Sequence, residues 1–264
     1  MSTRRIAVVV VALAVVAAVG GFALYSTFLA GDSVPALGLD NPSPSAAVAS
    51  AAGAAPSAAT GAPSDAPASV DPGAATAAPP AASAGDLAGT WRIAEGVAGY
   101  RVRETFLQQN AETDAVGRTT GVTGSIAVEG KPGALALASG QIDVDMTALK
   151  SDKGRRDGQL TGRGIQSDAF PTSTFALAGP VALPAGFGSA DTAVTLPGKL
   201  TLHGVTKDVE VAAQARMEPD GTVVVAGTLP VLFSEYGIEA PNVAGIIAVQ
   251  DKGSMEFRVV LARG

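Results

Sequence analysis

Few side chains in this 264-residue sequence could do chemistry, and each has a structural reading beside the chemical one. His203 is the only histidine, which excludes a histidine pair, a His-rich zinc site and most Ser–His arrangements. A lone imidazole acting as acid or base still needs a partner and a pocket, and in a β-turn it reads as structural. Asp143 and Asp145 could share a proton or hold a hard cation, yet alternate positions on the wet face of a strand account for both. Lys150, Lys153, Arg155, Arg156 and Arg163 concentrate positive charge, diluted by Asp152 and Asp157. That stretch is either a solvated surface or a set of forks suited to a phosphate. Glu104 falls on the apolar face of its strand, where burial would raise a carboxyl pKa. Gly198-Lys199 lacks the upstream glycine of a phosphate loop and leads into a strand, so it is not one. With no cysteine there is no disulfide, thiolate metal site, cysteine nucleophile or lipobox. No catalytic residue, metal site or cofactor is predicted.

The elements that position these residues are strands. Gly198 to Val211, GKLTLHGVTKDVEV, reads as two strands joined by a tight turn at His203-Gly204. Leu200 and Leu202 share one face against Lys199, Thr201 and His203, the period of two of a half-buried strand. Trp91–Ile93 and Tyr100–Leu107 read as short strands separated by Gly96 and Gly99. Thr120–Glu129 and Ala136–Met146 follow, divided by the turn signal at residues 130–133. Phe175 and Leu177, then 194–202, 209–217, 223–233 and 246–261 continue the series. Ser151–Gly164 breaks the alternation and reads as one short helix. Eight or so strands with one helical interruption predict a closed antiparallel barrel or a sandwich. A barrel of that size is either filled by its own side chains or holds one apolar ligand.

The first 85 residues are of another kind. Ile6–Leu29 carries no charge, follows Arg4-Arg5, and at ~1.5 Å per helical residue suffices to cross a hydrocarbon core of roughly 30 Å. The positive-inside rule then keeps the N-terminus cytoplasmic and sends the rest outward. A cleaved signal peptide is the competing reading, opposed by Phe28 where a small residue is wanted. Residues 31–85 are Ala, Pro, Ser, Gly and Thr with four aspartates and no aromatic, a composition predicted to form a disordered, semi-stiff linker. From Asp86 onward 16 Lys and Arg stand against 20 Asp and Glu, so no basic footprint for nucleic acid exists.

Several blocks along 86–264 carry a resemblance. Gly89-Thr-Trp-Arg-Ile93, Arg156-Asp157 followed by Phe170-Pro171-Thr172 and Phe175, GKLTLHGVTKDV at 198–209, and Val249-Gln-Asp-Lys-Gly253 before Met255-Glu-Phe257 together resemble the YceI-like family. The resemblance implies a lipocalin-like, eight-stranded antiparallel barrel, usually exported, whose apolar pore holds a polyisoprenoid such as a quinone tail or prenyl phosphate. It also implies a binder or carrier and not an enzyme. Arg156, Asp157, Pro171, Gly198, His203, Gly204 and Thr206 match as fold markers. Two departures stand out: Val102-Arg103-Glu104, at the place where many relatives carry a histidine after a valine, and a long polar insert at Gln108–Arg118.

The combined expectation is a transmembrane signal anchor at 1–30, a linker at 31–85 and an all-β barrel domain with one short helix at 86–264. The protein is then a single-pass cell-membrane protein with its C-terminal domain extracytoplasmic, binding an isoprenoid or other lipid; a homodimer is left open. Candidate pore residues are Tyr100, Val102, Phe106, Ile142, Val144, Phe175, Leu177, Leu200, Leu202, Met255, Phe257 and Val259. Candidate head-group residues are Lys150, Lys153, Arg155 and Arg156. The alternative is a ligand-free barrel serving as an envelope adhesion or scaffold module.

Overall fold

The computed structural model describes residues 34–41 and 87–264, apart from 109–110, 132–133, 152, 189, 240–241 and 244–246. The expected membrane anchor and most of the expected linker lie outside these residues. Among the described residues no helix is long and apolar enough to cross a membrane.

The strands are β1 (Gly89–Phe106), β2 (Ala111–Thr119), β3 (Val122–Lys131), β4 (Ala134–Asp145), β5 (Lys150–Ser151), β6 (Thr172–Leu177), β7 (Val181–Ala182), β8 (Thr192–Leu202), β9 (Val205–Met217), β10 (Val223–Leu232), β11 (Asn242–Val243) and β12 (Ile247–Arg263). Helix α1 (Gly154–Gly162) stands between β5 and β6, and a 3-10 turn (Phe233–Tyr236) follows β10. Eight strands close a ring in the order β1-β12-β10-β9-β8-β6-β4-β3, with every pairing antiparallel. The fold is thus an all-β, eight-stranded antiparallel barrel with one short helix.

Three local features differ from the expectation. First, β1 runs unbroken through Gly96 and Gly99. Gly99 is there for contact and not for a turn, because a Cβ on it would stand 2.1 Å from the Gly117 carbonyl oxygen. Second, most of the supposed polar insert is strand β2, which pairs with β1 from Ala98–Thr119 to Phe106–Ala111. Its polar residues are cross-strand partners: Arg103 Nε lies 2.9 Å from Asp114 and Arg101 Nη1 3.3 Å from the same carboxylate. β2 and β3 keep one register along β1 and form a single path bent at Thr120-Gly121. Third, residues 34–41, assigned to the linker, pack on the outside of the barrel. Leu37 sits on Val97, and Leu39 on Val224, Ala226 and Val260. These leucines supply the apolar area that the Ala/Pro-rich remainder of the linker lacks.

The family-like blocks are fasteners. His203 and Gly204, with φ of 52° and 74°, form the two-residue hairpin between β8 and β9. His203 Nδ1–H donates to the Tyr236 carbonyl at 3.0 Å and its ring lies 4.2 Å from that of Phe170, tying the hairpin to the 3-10 turn. The Val249–Gly253 block holds a register shift of β12 against β1. At that bulge Asp251 accepts hydrogen bonds from the Ser234 N–H at 2.8 Å and its hydroxyl at 2.6 Å. Asp157 of α1 accepts from the Ser151 N–H at 2.9 Å and hydroxyl at 2.7 Å, fixing the helix to β5.

Two outcomes follow. His203→Ala removes the imidazole bond and ring contact and leaves an unfavourable φ, so urea unfolding should show a loss of about 1–3 kcal/mol with the strand spectrum retained. The Ser234 hydroxyl, then its N–H, holds the Asp251 carboxyl below the usual carboxylate value. The bond is therefore complete above an unfolded pKa of about 3.9 and is lost as pH falls through the lower folded value. The protection of the Ser234 amide, measured by NMR hydrogen exchange relative to its intrinsic rate at each pH, should fall only in that acid range.

Candidate functional site

The barrel's inner face carries two chambers that meet at Leu196. The first lies at the start of β1, walled by Trp91, Ile126, Val128, Leu137, Val194, Val223 and Leu261 among others, with about 590 Å³ of empty space counted out to its mouth. The second, of about 620 Å³, lies further along and is walled by Ala98, Val122, Ile142, Phe175, Leu200, Val211, Leu229, Met255 and Phe257. Only Ser173 and Glu256 interrupt the apolar lining, and both have their polar atoms engaged elsewhere. Ser173 donates to the Thr201 carbonyl at 3.0 Å, and the Glu256 carboxylate binds Arg118 Nη2 at 2.8 Å.

Glycines keep the lumen open. Phe175 lies against Gly198 and Phe257 against Gly227, where added Cβ atoms would stand 2.2 and 2.6 Å from the rings. Each ring therefore rests on the wall instead of standing into the middle. Ala98, Ala213 and Ala215 widen the space further.

The two ends are treated differently. At the start of β1, Leu183 and Phe187 reach in from the β7–β8 connection, and Trp91 Nε1–H donates to the Leu87 carbonyl at 2.9 Å. At the far end Met146, Ile165, Leu202, Tyr236 and Ile238 fill the core. There Glu104 meets Arg156 in a two-pronged pair, Oε2 to Nη2 at 2.9 Å and Oε1 to Nε at 3.2 Å, which straps α1 across the barrel. The acid on the apolar face of β1 is thus buried and paired.

A seam opens in the wall nearby. The β9–β10 pairing stops at Ala212–Thr228, although β9 continues along β8 and β10 along β12. A cavity fills the gap, bordered by Lys207–Glu210, Leu229–Leu232, Glu235, Tyr236 and Lys252. Leu229 borders both this gap and the second chamber. Lys207 is bound to Glu235 at 3.3 Å. Burial, and after it the Glu235 charge, pushes the Tyr236 phenol above its usual pKa, so it is a neutral donor at physiological pH.

Of the twelve candidate pore residues, Ile142, Val144, Phe175, Leu200, Met255 and Phe257 line the second chamber. Tyr100, Val102 and Leu202 are packed in the core beyond it, and Val259 is buried beside the first chamber. Phe106 and Leu177 are half-buried and line neither. Among the head-group candidates, Lys150 and Lys153 are exposed, Arg156 is held by Glu104, and the Arg155 side chain lies outside the described residues. None of the other three borders a chamber. Sequence reasoning missed most of the first chamber. The alternation of β3 and β10 carried that signal; Leu183 and Phe187, on a loop, carried none. Asp143 accepts from Gln141 and Thr174, and Asp145 from Thr147, so both are engaged structurally. Among the described residues no cluster of three acidic or histidine side chains could hold a metal.

Residues 94–261 match the family described as the YceI-like domain. A polyisoprenoid binding domain from Saccharophagus degradans, implicated in plant cell wall breakdown, is similar at 13% identity and a TM-score of 0.50, over 66% of this chain and 98% of that one. BcnA from Burkholderia cenocepacia is similar at 22% identity and a TM-score of 0.44, over 61% and 95%. The YCEI protein of Campylobacter jejuni aligns at 13% identity and a TM-score of 0.37, over 56% and 84%. No curated protein matches the sequence. The family match runs from within β1 to near the end of β12 and so takes in every strand of the ring: the chain belongs to the YceI-like family.

Proposed function

We propose that this protein is a membrane-anchored, outward-facing carrier that holds one polyisoprenoid chain in its lumen and takes it in through the β9–β10 seam. The observation that carries the reading is the pair of apolar chambers sharing Leu196, one of which reaches the seam at Leu229. A chain laid along them loses apolar surface to the wall at roughly 25 cal/mol per Å² before ordering costs, and the two polar lining residues, Ser173 and Glu256, are already hydrogen-bonded. The description of the Saccharophagus domain as polyisoprenoid binding supports this choice of ligand. The uncharged run Ile6–Leu29 behind Arg4-Arg5 supports the anchor and the outward orientation. The reading is a binder, because among the described residues the one ionisable group in the lining, Glu256, has its carboxylate engaged by Arg118.

The seam favours an uncharged head. Lys207 and Lys252 stand there against Asp208, Glu210 and Glu235, a balance that repels a diphosphate. A quinone ring suits it better: its carbonyls accept from the Tyr236 phenol, and its faces lie against Pro230 and Leu232.

Native mass spectrometry of the chain extracted from its host membrane should show one added mass that solvent releases and that fragments as an isoprenoid quinone. Tighter retention of a prenyl phosphate than of a quinone of equal chain length would overturn the head-group assignment. Failure of the purified chain to bind either would overturn the carrier reading. Joining Glu210→Cys to Pro230→Cys with a short bifunctional thiol reagent should slow ligand exchange at least about tenfold, and a reducible reagent should restore it. Unchanged exchange would mean that the ligand enters elsewhere.

A further inference from the structure

We infer that the outer face of the barrel carries a receptor groove for the chain's own residues 34–41, and that this segment is a releasable latch setting how far the barrel stands from the membrane. The inference rests on the anchored reading above.

The groove reads the segment's backbone as well as its side chains. Arg101 Nη2 donates to the Val34 carbonyl at 2.7 Å, and Arg118 Nη2 donates to that of Pro35. The Leu37 N–H donates to Glu256 Oε2 at 3.3 Å. Arg118 and Glu256 are only 1% and 4% exposed, so the floor of the groove is a buried ion pair spanning β2 and β12. Leu37 and Leu39 then drop onto apolar patches of β1, β10 and β12, and Asp40 reaches Arg216 at 2.7 Å. Donors, an acceptor, two apolar seats and a terminal cation thus match one extended segment in order.

The same groove contains a reason for release. Arg258 shares its register position with Val97 and Ala226, the residues covered by Leu37 and Leu39, and is 8% exposed. Its Nε and Nη1 have no hydrogen-bond partner among the described residues. Closing the latch over a guanidinium with unmet donors opposes the gain from the leucines, and lifting it hydrates those donors.

Position along the chain gives the latch its consequence. Val34 follows the apolar run by five residues, so a docked segment keeps the barrel within roughly 18 Å of the point where Leu29 leaves the membrane. Once it is released, the constraint passes to Leu87, 58 residues after Leu29, and the limit rises to roughly 200 Å. A carrier that loads from a bilayer and delivers away from it needs both distances.

The full chain in phosphatidylethanolamine–phosphatidylglycerol vesicles doped with dansyl lipid provides the test, with Trp91, the only tryptophan, as energy-transfer donor. Wild type should transfer strongly, and Leu37→Asp with Leu39→Asp should reduce transfer at least threefold. Locking Leu39→Cys to Ala226→Cys by oxidation, in a chain with no other cysteine, should preserve the wild-type value. Hydrogen exchange at Leu37–Leu39 should be slow in wild type and fast in the double Asp variant. Equal transfer from both, or fast exchange in wild type, overturns the latch. Protection seen only where the chain is dimeric overturns it in favour of exchange between copies. If wild type fails to float with the vesicles, the anchor reading and the distance consequence fall together, while exchange at Leu37 still decides the groove.

Discussion

Everything in this molecule depends on β1 and β12 finding each other. They are the first and last long strands, and their pairing from Trp91–Arg263 to Phe106–Ile247 turns an open sheet into a ring. Closure removes the exposed edges and fixes eight strands around the axis, which sets the width available inside. The two register shifts along this β1–β12 pairing show where closure has to bend. One lies near Ile93–Glu95; the other pushes Asp251 out to hold the 3-10 turn. Closure is bought with long-range pairing, and the Glu104–Arg156 pair and the His203 hairpin tie distant parts of the chain across its far end.

Within that fixed width, side-chain size decides between a solid core and a lumen. At the far end Met146, Ile165, Tyr236 and Ile238 make it solid. Along the middle, alanines and flattened rings leave it open. The same ring of strands therefore supports a plug and a channel in series, and the break between β9 and β10 falls close to where one gives way to the other.

Much of this was legible from residue order, for reasons that also explain what was not. Alternation reports the two faces of a strand, so the strands carrying Leu200, Met255 and Phe257 and the turn at His203-Gly204 could be read directly. Glycine is ambiguous: Gly96 and Gly99 looked like strand breaks because sequence does not distinguish a turn from a close approach of two backbones. β2 looked like an insert because its acidic residues are polar for the sake of Arg101 and Arg103, partners that only register reveals. Arg156 looked available to a ligand until Glu104, 52 residues earlier, was found beside it. The segment at 34–41 was submerged in its surroundings, because two leucines in a biased tract carry no period. The seam left no local signal, since the end of a pairing is a relation between two strands.

The rings resting on Gly198 and Gly227 also bear on how the width of the bore could change. A single base change turns a glycine codon into one for alanine or valine, and at these two positions the new side chain would displace Phe175 or Phe257 into the bore. The new Cβ would also stand 2.7 Å from the Ala176 carbonyl oxygen or 2.8 Å from that of Ala212, so the neighbouring strand must shift with it. The calibre of the bore is thus tied to how closely neighbouring strands approach at these two glycines, and one mutational step changes both together.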